Sequence, residues 1–288
     1  MQHVTSWASV MGGAALALCI AVLAAPHDVR GQESVKVGLD VPLTGSAAAI
    51  GHYLLWGAEI ALDEVNAAGG VLGKPVELLT RDDETDADKA LRNVTELVER
   101  DGAVAILGPA NSGNALAFIP YLQDKHVPNM LLTASATTLT RIYKDDAKNY
   151  IFRATLPDDA QLTFLATWAV KRFRRIAIVA DTTPYGRLGT EDLVAAMRAD
   201  GGAPVLTLTF PLGQMDLTAQ AVRLKEAGVD AVAIISLGQE IANMARAADR
   251  VELKAVCFGL YPFFLPAVAN LPTRLSDGLV GVLGAAPE

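Results

Sequence analysis

The sequence predicts an α/β protein made of two doubly wound parallel sheets, and three observations predict it. Short apolar runs alternate with helix-length stretches from Val35 onward, the pattern of βα units in a parallel sheet. The runs are near-continuous Val, Ile, Leu and Ala, as expected of strands covered by helices on both faces. The series also restarts once, around Arg153-Ala154-Thr155-Leu156-Pro157, and 288 residues suffice for two cores of ordinary domain size.

In order, a strand over 35–41 breaks at Pro42 into the small-residue loop Leu43-Thr44-Gly45-Ser46. The helix after it places Trp56, Ile60, Ala61 and Val65 at helical spacing and stops at Asn66-Ala67-Ala68-Gly69-Gly70. Lys74-Pro75 opens a second strand over 76–80, ending in Arg81-Asp82-Asp83-Glu84. A helix over 86–99 leads to a strand over 104–107 and the loop Gly108-Pro109-Ala110-Asn111-Ser112-Gly113. Next come a helix through 116–123, a strand over 127–132 and the hydroxyl-rich loop Thr133-Ala134-Ser135-Ala136-Thr137-Thr138. The second series has helices over 159–172, 188–199, 217–227 and 240–249, and strands over 175–180, 205–210, 231–236 and 254–258. A last strand falls in 278–283. The expected lobes are 33–153 and 154–288.

The first 25 residues hold no Asp, Glu, Lys or Arg and are almost wholly small or apolar from Val10 to Ala25. This reads as a signal peptide over 1–25, with cleavage after Ala25 or as late as residue 31, although its N-terminal region lacks the usual Lys or Arg. Leu18 before Cys19 is too bulky for a lipoprotein site, so export without a lipid anchor is expected. With Cys19 in the leader, Cys257 alone remains in the mature chain and no intrachain disulfide forms. Cys257 sits in an apolar strand, where a buried small hydrophobe is expected rather than a catalytic thiol. The net charge of −8 and the lack of a basic patch with interleaved aromatics argue against nucleic acid.

Catalytic motifs fail on inspection. Gly69-Gly70-Val71-Leu72-Gly73-Lys74 is not a P-loop, because Ala68 stands at the required first glycine and Pro75 at the Mg²⁺-binding hydroxyl. No G-x-G-x-x-G occurs, and Ser112 has Ala110 and Asn114 where a nucleophile elbow needs its flanking glycines. Asp82-Asp83-Glu84, at a strand end before a helix, reads as a capping, solvated cluster rather than a general acid/base pair. The four His residues (3, 27, 52 and 126) show no metal-ligand spacing. No metal, no cofactor and no enzymatic activity are expected. The stronger signal is the pair of hydroxyl loops after neighbouring strands, Asn111-Ser112 and Thr133-Ala134-Ser135. Ligands of open parallel sheets sit beyond the carboxyl ends of strands, where helix N-termini favour a carboxylate and hydroxyls add neutral donors. The alternative is that these residues only cap helices.

Leu43-Thr44-Gly45, the helix Gly57-Ala58-Glu59-x-Ala61 with Asn66, the Gly69-Gly70-x-x-Gly73 turn and Asp82-Asp83 resemble the branched-chain amino acid type of periplasmic solute-binding protein. The resemblance covers roughly 35–283. It implies the type I periplasmic-binding fold, a Venus-flytrap of two lobes, and a receptor that hands its ligand to an ABC permease from the periplasm. By that resemblance Ser112 grips a ligand carboxylate, Thr133 and Ser135 add a hydroxyl and backbone, and Tyr185 of Tyr185-Gly186 closes over the ligand. In the family the chain returns from the second lobe to complete the first. This sequence is expected to lack that segment, as a C-terminally truncated reading frame would, and its first lobe to be completed by fewer elements.

Two departures bear on the ligand. The acidic residue that pairs with an α-ammonium would fall in Gly259-Leu260-Tyr261-Pro262-Phe263-Phe264, which holds no Asp or Glu, and Leu237-Gly238 lacks the expected aromatic. Burying an ammonium without a carboxylate partner is costly, so a carboxylate with an apolar or aromatic body suits Tyr261, Phe263 and Phe264 better. Those rings serve equally well as core filler. Glu240 reads as a first-turn helix acid. The expected ligand-binding set is therefore Ser112, Thr133, Ser135, Tyr185 and Tyr261, holding a small amino acid or organic carboxylate. A ligand-sensing regulatory domain of the same fold is the alternative, and an α/β enzyme a more remote one.

Overall fold

The computed structural model describes residues 33–276 and 278–282; the expected leader and the end of the expected last strand lie outside them. Among the described residues, ten strands form two five-stranded sheets, all pairings parallel. The first sheet contains β1 (Val35–Val41), β2 (Val76–Asp82), β3 (Ala105–Leu107), β4 (Asn129–Leu131) and β5 (Ile151–Arg153), in the order β2-β1-β3-β4-β5. The second contains β6 (Ile176–Asp181), β7 (Leu206–Phe210), β8 (Ala231–Ile235), β9 (Val256–Gly259) and β10 (Leu279–Gly281), in the order β10-β9-β8-β6-β7. Each order reverses beside its first strand, so each sheet has a switch point with a crevice beyond the strand ends. The parallel α/β expectation holds in both halves.

The helices are α1 (Ala48–Ala67), α2 (Ala87–Glu99), α3 (Ser112–Lys125), α4 (Asp158–Val170), α5 (Pro184–Ala199), α6 (Thr218–Glu226) and α7 (Gly238–Arg250), followed by the short turns α8 (Pro266–Ala269) and α9 (Thr273–Ser276). Side-chain alternation explains the second lobe directly. On β6 and β8, Ile176, Ile178, Ala180, Ala231, Ala233 and Ile235 share one core with Leu162 and Leu165 of α4 and Leu193 of α5. The residues between them, Ala177, Val179, Val232 and Ile234, pack on the opposite face with Leu224 of α6 and Ile241 and Met244 of α7. Every residue of β6 and β8 is buried, which is why these strands read as unbroken apolar runs.

The first lobe is covered unequally. Val94 and Leu97 of α2 and Phe118, Ile119 and Leu122 of α3 pack with Ile106 and Leu131 on one face. On α1 only Ile50 and Gly51 are buried, and Trp56 and Ile60 are 53% and 62% exposed. The periodic residues of that helix mark an exposed stripe rather than a core face. Ala47 and Ile50 at its start, with Ala110, instead join the core of the second lobe, so apolar packing crosses between the lobes there.

Two helices begin earlier than the periodicity suggests, and both carry candidate residues. α3 starts at Ser112 because Asn111 Oδ1 accepts the Gly113 N–H at 2.7 Å, an N-cap of the preferred kind. α5 starts at Pro184, whose fixed φ suits the first helical position. Asp181 Oδ1 accepts from the Thr183 N–H and hydroxyl just before it. Tyr185 therefore stands in the first turn of a helix, not in a surface turn. Among the described residues no helix is long and apolar enough to cross a membrane.

Candidate functional site

The strands are parallel, so the helices that follow β3, β6 and β8 all begin at the carboxyl edges of the sheets. Ala110, Asn111 and Ser112 enter one slot from the start of α3, and Thr133 and Ser135 from the loop after β4. Tyr185 comes from the start of α5, Leu237 from the N-cap of α7 and Tyr261 from the turn after β9. All five candidate residues, Ser112, Thr133, Ser135, Tyr185 and Tyr261, thus line a single slot, three from one sheet and two from the other. Its walls stand too close to admit a water-sized sphere.

Packing fixes these side chains. The Ala136 N–H donates to Ser112 Oγ at 3.2 Å, tying the two hydroxyl loops together. Thr133 Oγ1 donates a long 3.4 Å bond to the Ala110 carbonyl, and its hydroxyl lies within reach of the Tyr261 phenol in the other lobe. Ser112 and Ser135 are 1% exposed and Tyr185 4%. An ideal Cβ on Gly113 would come 2.9 Å from Pro184 Cδ, so the starts of α3 and α5 abut across the slot. Both direct the positive ends of their helix dipoles there.

The lining residues carry no formal charge, and their electrostatics follow from burial. It pushes the Tyr261 phenol up to about 12 and the Tyr185 phenol well above its ordinary value, with nearby Asp158 adding to both. Each phenol is a neutral donor at any physiological pH.

One functional candidate has no clear signal in the sequence. Asp158, the first residue of α4, is fully buried and lies against the slot through Ser135, Tyr185 and Tyr261. Its N–H donates to the Ser135 carbonyl at 2.8 Å. The Ser135 hydroxyl approaches its carboxylate without reaching hydrogen-bond geometry, and both carboxylate oxygens lack a partner. Burial, ahead of every other influence, raises its carboxyl to about 7. Arg153, the nearest cation, spends its guanidinium on the Ser135 and Ala136 carbonyls and the Thr140 hydroxyl. Pro157-Asp158 resembles an ordinary helix start, and only the pairing of β4 with β5 brings it beside the hydroxyl loop.

Other expectations change. Phe263 belongs to the second-lobe core at 6% exposure and Phe264 is 48% exposed; neither lines the slot, so Phe263 is core filler. The 82–84 cluster is not uniformly solvated. Asp82 accepts the Leu43, Thr44 and Glu84 N–H groups and the Thr44 hydroxyl, which pins the Leu43-to-Ser46 loop. Asp83 is fully buried, and burial raises it to about 6, while Asp86 caps α2. Glu240 is a first-turn acid as expected, but it is buried and accepts the Gly213 N–H at 2.9 Å. Cys257 is buried, and desolvation pushes its thiol up to about 12, which leaves it unreactive. No cluster of three metal-ligating side chains is found among the described residues.

Residues 34–288 match a family described as periplasmic binding protein. The Leu/Ile/Val-binding protein BraC3 of Rhizobium johnstonii is 30% identical over 227 residues, which cover 78% of this chain and 60% of the relative. A periplasmic binding protein type 1 from Bordetella pertussis has a similar fold, with a TM-score of 0.79 at 30% identity over 86% of this chain and 68% of that one. The branched-chain amino acid transporter substrate binding protein LivJ from Streptococcus pneumoniae, solved in complex with isoleucine, gives a TM-score of 0.72 at 25% identity. It is covered over 65% of its length, against 80% of this chain. The chain thus spans about three fifths to two thirds of the length of these proteins.

Proposed function

Because the chain belongs to the periplasmic binding protein family, we propose that it is an extracytoplasmic solute receptor that captures a small carboxylate between its lobes for an ABC importer. One observation carries the reading: hydroxyls from one sheet and phenols from the other converge on a single slot at the carboxyl edges of both. Closure therefore makes contacts to a ligand that neither lobe makes alone, which is what drives a hinge.

Ser112, Thr133 and Ser135 hold the carboxylate with neutral donors, helped by the N-terminus of α3. Tyr185, Tyr261 and Leu237 cover the ligand body. Asp158 supplies the acid that the loop 259–264 lacks, so an α-amino acid fits the slot electrostatically. The relatives named for leucine, isoleucine and valine, and the one solved with isoleucine, support that class.

A thermal-shift screen tests this. L-leucine, 4-methylpentanoate and benzoate are compared, and a ligand at 100 times its Kd should add about 2.7 kcal/mol of stability. A rise in melting temperature with at least one probe is expected. No rise with any small carboxylate or amino acid would contradict the reading.

A further inference from the structure

The slot has an imbalance that the receptor reading leaves unexplained. Asp158 is a fully buried carboxylate with two unpartnered oxygens, and such a group is costly unless neutralised. No titratable or charged group around it does so fully. Arg153 on β5 lowers the cost through its charge but gives its N–H groups to carbonyls and Thr140 rather than to this carboxylate. Asp159 on α4 and Asp192 on α5 are acids that raise the cost, and they are engaged elsewhere, with Arg141 at 2.8 Å and with the Thr137 hydroxyl at 2.7 Å. Tyr185 on α5 and Tyr261 after β9 are phenols held neutral by burial. A proton or a cationic group on the ligand is what remains to pair directly with the two oxygens.

We propose, resting on the receptor reading above, that Asp158 makes closure proton-coupled in a ligand-dependent way: a ligand with an ammonium group closes the lobes without proton uptake, whereas a carboxylate lacking one closes them only as Asp158 takes up a proton. The balance is simple. In the first case the carboxylate pairs with the ligand cation; in the second a solvent proton adds to one carboxylate oxygen as the lobes close. With the buried carboxyl near 7, the preference between ligand classes shifts with pH. Acid favours the plain carboxylates and alkali the amino acid.

Isothermal titration calorimetry in two buffers of different ionisation heat counts the protons. The probes are L-leucine, its deaminated analogue 4-methylpentanoate, and benzoate. At about pH 6, proton uptake near one per ligand is expected for the plain carboxylates and near zero for leucine. From about pH 5 to about pH 7 the affinity of the plain carboxylates should fall by up to about tenfold per pH unit, while that of leucine stays nearly constant. In Asp158→Asn, any plain carboxylate that still binds should do so without proton uptake, and leucine should lose its advantage over 4-methylpentanoate near pH 8. Equal proton counts for leucine and 4-methylpentanoate on the unaltered chain would overturn the proposal alone, as would uptake that persists in Asp158→Asn. If only one probe binds, its own proton count decides. No binding by any of the three overturns the proposal together with the receptor reading.

Discussion

Replacing Ser112 by alanine and Thr133 by valine together should weaken capture of a carboxylate by at least about 100-fold. Each hydroxyl gives a neutral donor to a charged oxygen, a bond worth roughly 1.5–3 kcal/mol. Losing two therefore removes about 3–6 kcal/mol of binding free energy, where 1.4 kcal/mol is about tenfold in Kd. The replacement also has a structural cost, because Ser112 Oγ accepts the buried Ala136 N–H at 3.2 Å. A buried donor left unpaired costs about 1–3 kcal/mol. The variant is therefore expected to melt earlier without ligand, and the decisive quantity is the ligand-induced shift rather than the absolute midpoint. Calorimetric titration at a temperature where the variant is still folded separates the two effects. An unchanged Kd would remove both hydroxyls from the site.

Lowering the pH from about 8 to about 5 should stabilise the fold rather than weaken it. Burial raises Asp83 to about 6 and Asp158 to about 7, and it also raises Asp40, Asp181 and Glu240. A carboxyl with a raised folded-state value binds more protons folded than unfolded between its two values. Its stabilising effect is complete below the unfolded value and is lost as pH rises through the folded one. The window set by the two numbered groups thus runs from about 4 up to about 7. Each group gains about 1.4 kcal/mol for every pH unit between its unfolded and folded values, so these two alone correspond to several kcal/mol. That is a rise in melting temperature of roughly 10 °C for a chain of this size. Asp82 and Asp216 are lowered by hydrogen bonds and act in the opposite sense, but only at more acid pH. Asp83→Asn, which does not line the slot, should stabilise the unliganded chain near pH 8 and flatten the profile. Melting temperatures that fall steadily from pH 8 to 5 would contradict this electrostatic picture.

The sequence made the scaffold readable because buried parallel strands and amphipathic helices leave strong one-dimensional signals. The strand Val35–Val41 and the unbroken apolar run of β8 are of this kind. The slot was partly readable because hydroxyl-rich loops mark strand ends; Ser112 also starts a helix, whereas Ser135 lies in the loop after β4. What escaped depended on three dimensions. Asp158 looks like any acid in a first helical turn; its burial arises only because α4 starts against the loop of the neighbouring strand, through the 2.8 Å bond of its N–H to Ser135. Phe263 and Phe264 are adjacent in sequence, yet one enters the second-lobe core and the other faces outward. Aromatic composition cannot separate those fates. The stripe on α1 misleads in the other direction, since helical spacing shows that a face is apolar but not what covers it.

The most direct test of the central claim is a crystal structure of the chain with a bound small carboxylate. The expected result is a carboxylate within hydrogen-bond distance of Ser112 and Thr133 and a ligand body between Tyr185 and Tyr261, contacting both lobes at once. A ligand held by one lobe alone, or seated away from the slot with these five side chains untouched, would contradict it.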